Sequence, residues 1–399
     1  MDIKKIREDT PCGNIYMNHA STSVPPLPVT EAAQEYYRMI MKYGATSRQA
    51  EEMTACICGR AVQNMAEFLH ADAEEIMFVP NGTVGIDMAA RGLRFKKGQN
   101  ILLDSMSFVS NAAPWIEAAG LYGLEIRYIP AVLPGYLDLE ELEHLIDENT
   151  ALISVTHAAN SLGVLQEVEK IGELAQKYGI PYLVDAAGTM GAVSLDVKKI
   201  GCDFLTASGR KYLRGPSGTG ILYVKKEMTE KLKGYVPAWN SGNWDYQRNE
   251  FTFHGDIRKL EFGEKNFPGI FGLSKAVEYI GEIGGMQDVE ARIRKLTCYL
   301  FEKLKVIKGV RIIGPEDASC RCGTLGFVME GKTCGEIAAY LNQNGVGMMG
   351  HHFFCPGVTE LFGIEGTARL SVHYWNTEEE IDLVTELLEN MQGESYGET

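Results

Sequence analysis

The chain has 399 residues, 45% of them hydrophobic and 23% charged, which is ample for a large core in two or more domains. A formal net charge of −15 argues against a general nucleic-acid or anionic-membrane partner, so an anionic ligand needs a local positive site. The polar start "MDIKKIREDTPCG" has no apolar signal core, no run approaches the roughly 20 apolar residues of a membrane helix, and nine scattered cysteines suit a reduced cytoplasmic protein.

In chain order, "IMFV" (76–79) predicts a strand that leads through "PNGTVG" into a helical "IDMAARGLRF". "NILLD" (100–104) is strand-like and "SNAAPWIEAAGLYG" follows as a helix. "ALISVTH" (151–157) precedes "VEKIGELAQKYG" (168–179), whose spacing and terminal glycine predict a helix and its stop. "PYLVDAAG" (181–188), "DFLTASG" (203–209) and "GILYVK" (220–225) complete a set of strands. Repeated strand–helix alternation with apolar, β-branched strands predicts an α/β fold, a largely parallel sheet covered on both faces. Residues 234–268 change character: they are rich in Gly, Asn and aromatics with weak periodicity, and read as a long functional loop. Two helical stretches follow, then "GVRIIG", "GTLGFVME" and "ARLSVHYW" alternate with helices, which reads as a smaller α+β domain. The expected division is 1–15, an N-terminal segment packing with the small domain; 16–268, the large domain; and 269–399, the small domain. The C-x-C pairs Cys56/Cys58 and Cys320/Cys322 lack a second C-x-x-C or paired histidines, and no metal site is expected.

Open α/β sheets bind ligands at the carboxyl ends of their strands. The polar residues just past each strand are Asn81, Gly82 and Thr83; Asn111, with the aromatic Phe108; His157 and Asn160; Asp185; and Ser208, Arg210 and Lys211. A lysine, an aspartate, an aromatic and a set of phosphate-type donors form the inventory for pyridoxal 5'-phosphate. Each residue alone has a plainer reading. Asp185 suits a turn, "NGT" a helix cap, Phe108 a core position, and His157 a structural hydrogen bond.

The block "THAANSLGVLQEVEKIGELAQKYGIPYLVDAAGTMGAVSLDVKKIGCDFLTASGRKYLRGPSGTGILYV" resembles the core of the class V aminotransferases, which are fold type I enzymes. That family includes cysteine desulfurases, selenocysteine lyases, kynureninases and isopenicillin N epimerase-like enzymes. The resemblance runs from "IYMNHASTSVPPLPV" to "ARLSVHYWNTEEEID". It implies a large domain with a mostly parallel seven-stranded sheet, a small α+β domain, and a homodimer with its active site at the subunit interface. Lys211 then matches the lysine that binds the cofactor aldehyde, and Asp185 the acid beside the pyridine nitrogen. Gly82, Thr83, Ser208 and Arg210 match the phosphate site, and Phe108 the side chain stacked on the ring. Asn160 matches a contact to the ring hydroxyl and the substrate, and Arg369 the clamp on the substrate carboxylate. His19 is expected beside the substrate. So are the rest of the stretch Tyr16–His19, Trp239, Trp244, Tyr246 and the stretch His351–Phe354.

Three positions depart from the family pattern. Gly188 replaces a glutamine after "DAA". Glu264 stands where relatives carry a threonine that reaches the neighbouring subunit's phosphate. In "MGHHFFCPGV", Phe353 occupies the direct match to the mobile cysteine of persulfide-forming desulfurases, and Cys355 lies two residues later. The implied reaction is carbon–sulfur cleavage of a small L-amino acid. A lyase route is favoured, with Cys355 as an inert thiol. Transamination or epimerisation on the same scaffold is the runner-up, and a non-catalytic cofactor-binding regulator is the reading of another class.

Overall fold

The computed structural model describes residues 1–394; residues 395–399, the end of the expected small domain, lie outside the described residues. Seven strands form the main sheet: β1 (Ile76–Val79), β2 (Asn100–Asp104), β3 (Glu125–Ile129), β4 (Thr150–Thr156), β5 (Tyr182–Asp185), β6 (Phe204–Ser208) and β7 (Gly220–Val224). Their spatial order is β1-β7-β6-β5-β4-β2-β3. β7 runs antiparallel to both its neighbours, and every other pairing is parallel. Strands β2, β5, β6 and β7 are buried along their whole length. That is why they read as unbroken apolar runs instead of alternating ones.

The parallel strands end on one edge, and there the chain leaves the sheet at Pro80, Ser105, His157, Ala186 and Gly209. Helix Gly82–Gly92 starts directly above β6. A Cβ on Gly85 would stand 2.3 Å from Thr206 Oγ1, so only glycine lets this helix lie so close. The Thr206 hydroxyl donates to the Gly82 carbonyl at 3.2 Å, which ties the helix start to the strand end.

The small domain carries a four-stranded antiparallel sheet of β8 (Val310–Ile313), β9 (Thr324–Met329), β10 (Met349–His351) and β11 (Thr367–Ser371), in the order β8-β9-β11-β10. Helices Gly285–Lys305 and Glu378–Glu394 join through Arg292–Glu378 at 2.9 Å and Lys303–Asp382 at 2.6 Å. Helix Phe267–Glu282 spans the expected boundary at 268/269. It packs on helices Leu27–Tyr43 and Arg48–Leu69 through Tyr36–Phe271 (5.6 Å between ring centroids) and Asn64–Glu278 (3.0 Å). The next helix, Gly285–Lys305, sends Val289 and Ile293 to the core of the main sheet and Leu296, Leu300 and Leu304 to the core of the small one.

The N-terminal segment lies on the small domain. Arg7 pairs with Glu380 at 2.7 Å, Ile15 pairs with Val346 in parallel register, and the Ser371 N–H donates to the Met17 carbonyl. Residues 16–24 then run between the two domains. Arg214 fastens this strap from below. Its buried guanidinium donates to the Val24 carbonyl (2.8 Å), the Thr10 hydroxyl (2.6 Å) and the Tyr374 hydroxyl (2.9 Å). It also lies over the rings of Tyr374 and Trp375.

Residues 234–268 are not one loop. They hold a hairpin, Gly242–Asp245 with Glu250–Phe253, and a 3-10 turn at Ile257–Leu260. Trp244 with Tyr246, and Phe251 with Phe253, are each two apart, and that period-two signal lies unread in the stretch.

Candidate active site

A cavity of about 620 Å³ opens at the carboxyl edge of the sheet. Asn81, Gly82 and Thr83 line one end, with Ser208 and Arg210; Asp185, Lys211 and Asn160 line its floor and middle. Phe108, Met349, His351, Phe353 and Phe354 form the other wall. Eight of the sequence-predicted site residues, from Gly82 to Lys211, thus meet in one place, along with His351, Phe353 and Phe354.

The first end is built from backbone. Asn81 caps helix Gly82–Gly92 by accepting from the Val84 N–H at 3.0 Å, and the Gly82 N–H donates to Ser208 Oγ at 3.3 Å. Arg210 donates to the Ser21 carbonyl at 3.1 Å. A helix start, a hydroxyl and a guanidinium there make an anion cradle.

The middle holds the two opposed charges. Asp185 ends β5, is buried, and accepts from the Ala187 N–H at 2.9 Å. Burial raises its pKa, and the Lys211 charge opposes that rise. Burial also brings the Lys211 amine down to about 8 against the pull of Asp185, with the Arg369 and Arg210 charges adding to the fall. A lysine with that pKa is partly neutral near physiological pH, so it can accept a proton or attack a carbonyl.

Arg369, on β11, has no solvent exposure and is brought down to about 10 by burial. Its Nη1 donates to the Asn160 carbonyl at 3.0 Å, and its Nη2 donates to Asn18 Oδ1 at 2.7 Å and to Ser21 Oγ. Cys355 is fully buried; burial, with the Asp104 charge adding, pushes its thiol up to about 12. It donates to Asn160 Oδ1 at 3.1 Å. That contact leaves the Asn160 amide nitrogen as the group free to face the cavity.

Several expected residues lie elsewhere. His19 is fully buried beside Ser23 Oγ (2.7 Å) and the Tyr16 carbonyl (3.1 Å), edge-on to His373 and Trp375. Burial brings its pKa down to about 3. It packs the strap, and its neighbours Ala20 and Ser21 take the cavity wall. His157 bonds Thr189 at 3.0 Å outside the cavity, and burial holds it near 4. Trp239, Trp244 and Tyr246 are 76%, 66% and 78% exposed and away from the cavity. Glu264 lines a separate cavity of about 360 Å³ behind Gly218 and Thr219. At Gly188 a Cβ would lie 3.1 Å from the Ala158 carbonyl, so the glycine that breaks the family pattern sits where a side chain is crowded.

Sequence reasoning missed a buried network beneath Phe108. Asp104 accepts from Ser107 Oγ (2.5 Å) and from the Thr156 N–H (2.7 Å), and burial pushes its pKa up to about 6. The signal was present, an acid closing the apolar run "NILLD". Asn111 belongs to this network and not to the cavity, donating to Ser107 at 2.9 Å. Asn18 lies in the expected Tyr16–His19 stretch, but Ser21 was missed, because no periodicity marks a strap.

This is an α/β enzyme fold with a lysine–aspartate pair at the carboxyl edge of a mostly parallel sheet. The chain belongs to the aminotransferase class-V family, whose pattern matches residues 15–384. A probable cysteine desulfurase of Methanothermobacter thermautotrophicus is 32% identical, with 98% of this chain and 99% of that protein covered. A cysteine desulfurase of Cronobacter sakazakii is 31% identical over 92% of this chain and 90% of its own length. The apo structure of a cysteine desulfurase from Thermococcus onnurineus superimposes with a TM-score of 0.91 at 29% identity, covering 97% of each chain. The fold type I architecture expected from the sequence is therefore the observed one. Among the described residues no helix is long and apolar enough to cross a membrane.

Proposed function

We propose that the chain is a pyridoxal 5'-phosphate-dependent enzyme that cleaves the carbon–sulfur bond of a cysteine-type L-amino acid. The observation that carries this reading is Lys211, an amine held near pKa 8 in a cavity that also holds Asp185 and an anion cradle. The residues present fit the cofactor. The cavity volume lies within the roughly 300–1,000 Å³ usual for small-ligand sites. The start of helix Gly82–Gly92 with Thr83 and the Ser208 hydroxyl would hold the phosphate, and Arg210 adds charge. Asp185 is the acid for a ring nitrogen, and Phe108 supplies a flat apolar face. When bound, the cofactor supplies an electron sink for the pair left at the substrate α-carbon.

The chain's own residues do the rest. Lys211 Nζ, neutral above about pH 8, accepts the α-proton. Burial works against the Asp185 charge and Lys211 supports it, and a carboxylate there would favour a proton on a ring nitrogen facing it. Arg369 offers a planar fork that suits the substrate carboxylate, and Asn160 Nδ2 adds a neutral donor. Cys355, protonated with a thiol near 12, is not the attacking sulfur in this reading. The pair at the α-carbon forms the Cα–Cβ double bond as the Cβ–S bond breaks and sulfur leaves as a thiolate, and water then hydrolyses the released aminoacrylate to pyruvate and ammonia.

The relatives' names favour a second reading, in which a protein thiolate takes the sulfur and alanine is the product. A panel of L-amino acids scored for pyruvate, alanine, sulfide and keto acid separates the two. Pyruvate with sulfide supports the lyase reading; alanine with a persulfide on Cys355 overturns it. We place the enzyme in the cytoplasm as a homodimer. The exposed aromatics Trp239, Trp244 and Tyr246 support an interface on the 234–268 segment.

A further inference from the structure

The cavity stops one side chain short of Arg369. Phe353 lines it, and the Phe353 ring lies 4.1 Å from Arg369 Cζ. The guanidinium itself has no exposure. Its hydrogen bonds run to neutral acceptors on Asn160, Asn18 and Ser21, and its Nε is buried with no acceptor. A buried cation with an orphaned N–H carries a free-energy cost that an incoming anion would offset. The aromatic ring stands between that cation and the space where a substrate would sit.

The backbone under the ring is strained. Phe353 and Phe354 have φ of +53° and +55°, the left-handed region that side-chain-bearing residues rarely occupy, here twice in succession. Short-range bonds hold the turn: the Phe353 N–H donates to His351 Nδ1 at 2.8 Å, and the Phe354 N–H donates to His352 Nδ1 at 3.0 Å. At its far end Cys355 is fixed to Asn160, and helix Pro356–Phe362 begins. The turn is thus anchored on both sides, while its apex keeps an unfavourable backbone for the sake of the ring on Arg369.

We propose that Phe353 controls access to Arg369: its ring occupies the guanidinium face in the free enzyme and is displaced when an α-carboxylate binds. The proposal rests on the reading of Arg369 as the carboxylate site. An amine without a carboxylate has no need to displace the ring, so Phe353 also discriminates between the two ligand classes.

The test is an equilibrium titration of the holoenzyme followed by the visible absorption of the bound cofactor, with L-alanine and ethylamine as probes. Neither probe carries a leaving group at the β-carbon, so carbon–sulfur cleavage does not enter, and the amplitude is read before any slow α-proton exchange or transamination. Phe353→Ala is expected to tighten L-alanine roughly three- to tenfold, the range of a lost cation–π contact, and to leave ethylamine unchanged. Phe353→Leu keeps much of the volume without the ring face. It should shift in the same direction by less, and it decides the matter if the alanine variant does not hold cofactor. Arg369→Lys is the control on the underlying reading and should weaken L-alanine alone. Unchanged or weaker L-alanine binding in both Phe353 variants, with Arg369→Lys still weakening it, overturns the proposal and leaves the carboxylate site standing. L-alanine binding unaffected by Arg369→Lys overturns the carboxylate site and the proposal with it.

Discussion

The two ends of the cavity are made differently. The anion end rests on the sheet: Gly82 and Ser208 follow directly from β1 and β6, and Thr206 bonds the helix start to the strand. The carboxylate end is assembled from residues 18–21, 160, 349–355 and 369, far apart in the chain and joined by side-chain hydrogen bonds. One end is fixed by backbone that also makes the core, while the other depends on a strap, a strained turn and a buried arginine.

That contrast can be broken at its strongest point first. Lys211→Ala should lower turnover at least about a thousandfold while the protein stays folded, and borohydride reduction of the wild type should place the cofactor adduct on Lys211 by peptide mapping. An adduct on another lysine contradicts the site. Asp185→Asn should keep bound cofactor yet cut kcat by about a hundred- to ten-thousandfold, read by steady-state kinetics beside the cofactor absorbance. Near-normal turnover would show that the acid is not needed at the floor. At the opposite end, Arg369→Lys retains charge but loses the planar fork. KM should rise about ten- to a hundredfold with kcat much less affected.

A smaller effect is expected in pH dependence. The Lys211 pKa is lowered from the usual 10.5 to about 8, so the free amine fraction grows as pH rises and saturates above that value. Stopped-flow capture of pyridoxal phosphate by the apoprotein should therefore accelerate about tenfold per unit up to near pH 8 and then level off. An acceleration continuing past pH 10 would mean the amine is not perturbed. The smallest change belongs to Cys355→Ser, since a hydroxyl can still donate to Asn160 Oδ1. Activity on a cysteine-type substrate should stay within about twofold, with pyruvate as the carbon product. Loss of activity, with alanine from the wild type, sharpens the comparison the other way by giving the carboxylate end a nucleophile.

The same contrast decided what the sequence disclosed. β1, β2 and β7 lie within a residue of their predicted spans, because strands buried on both faces leave an apolar run bounded by turn residues. Gly82, just past β1, and Asp185, Ser208 and Lys211, at or just past the ends of β5 and β6, were singled out from that placement. β3 passed unread, since an exposed, charged edge strand such as "EIRYI" carries no such run. His19 misled for a related reason. A histidine near a site by sequence can turn inward, and only the packing of Tyr16, His373 and Trp375 shows that it does. Nothing local in Phe353 announces a contact with Arg369, sixteen residues on in the chain and on another strand.

Arg214 sets an order of events during synthesis. Its guanidinium needs Thr10 and Val24, made early, and Tyr374, made almost last. At ribosomal rates of about 5–20 residues per second, roughly 20 to 70 s separate Val24 from Tyr374. During that interval the main sheet can form, but the strap carrying Ser21 has no complete anchor beneath it. The anion end of the cavity therefore exists on the nascent chain before the carboxylate end does. Arg369 itself lies five residues before Tyr374, so its guanidinium meets Asn18 and Ser21 of the strap only when the chain is nearly complete.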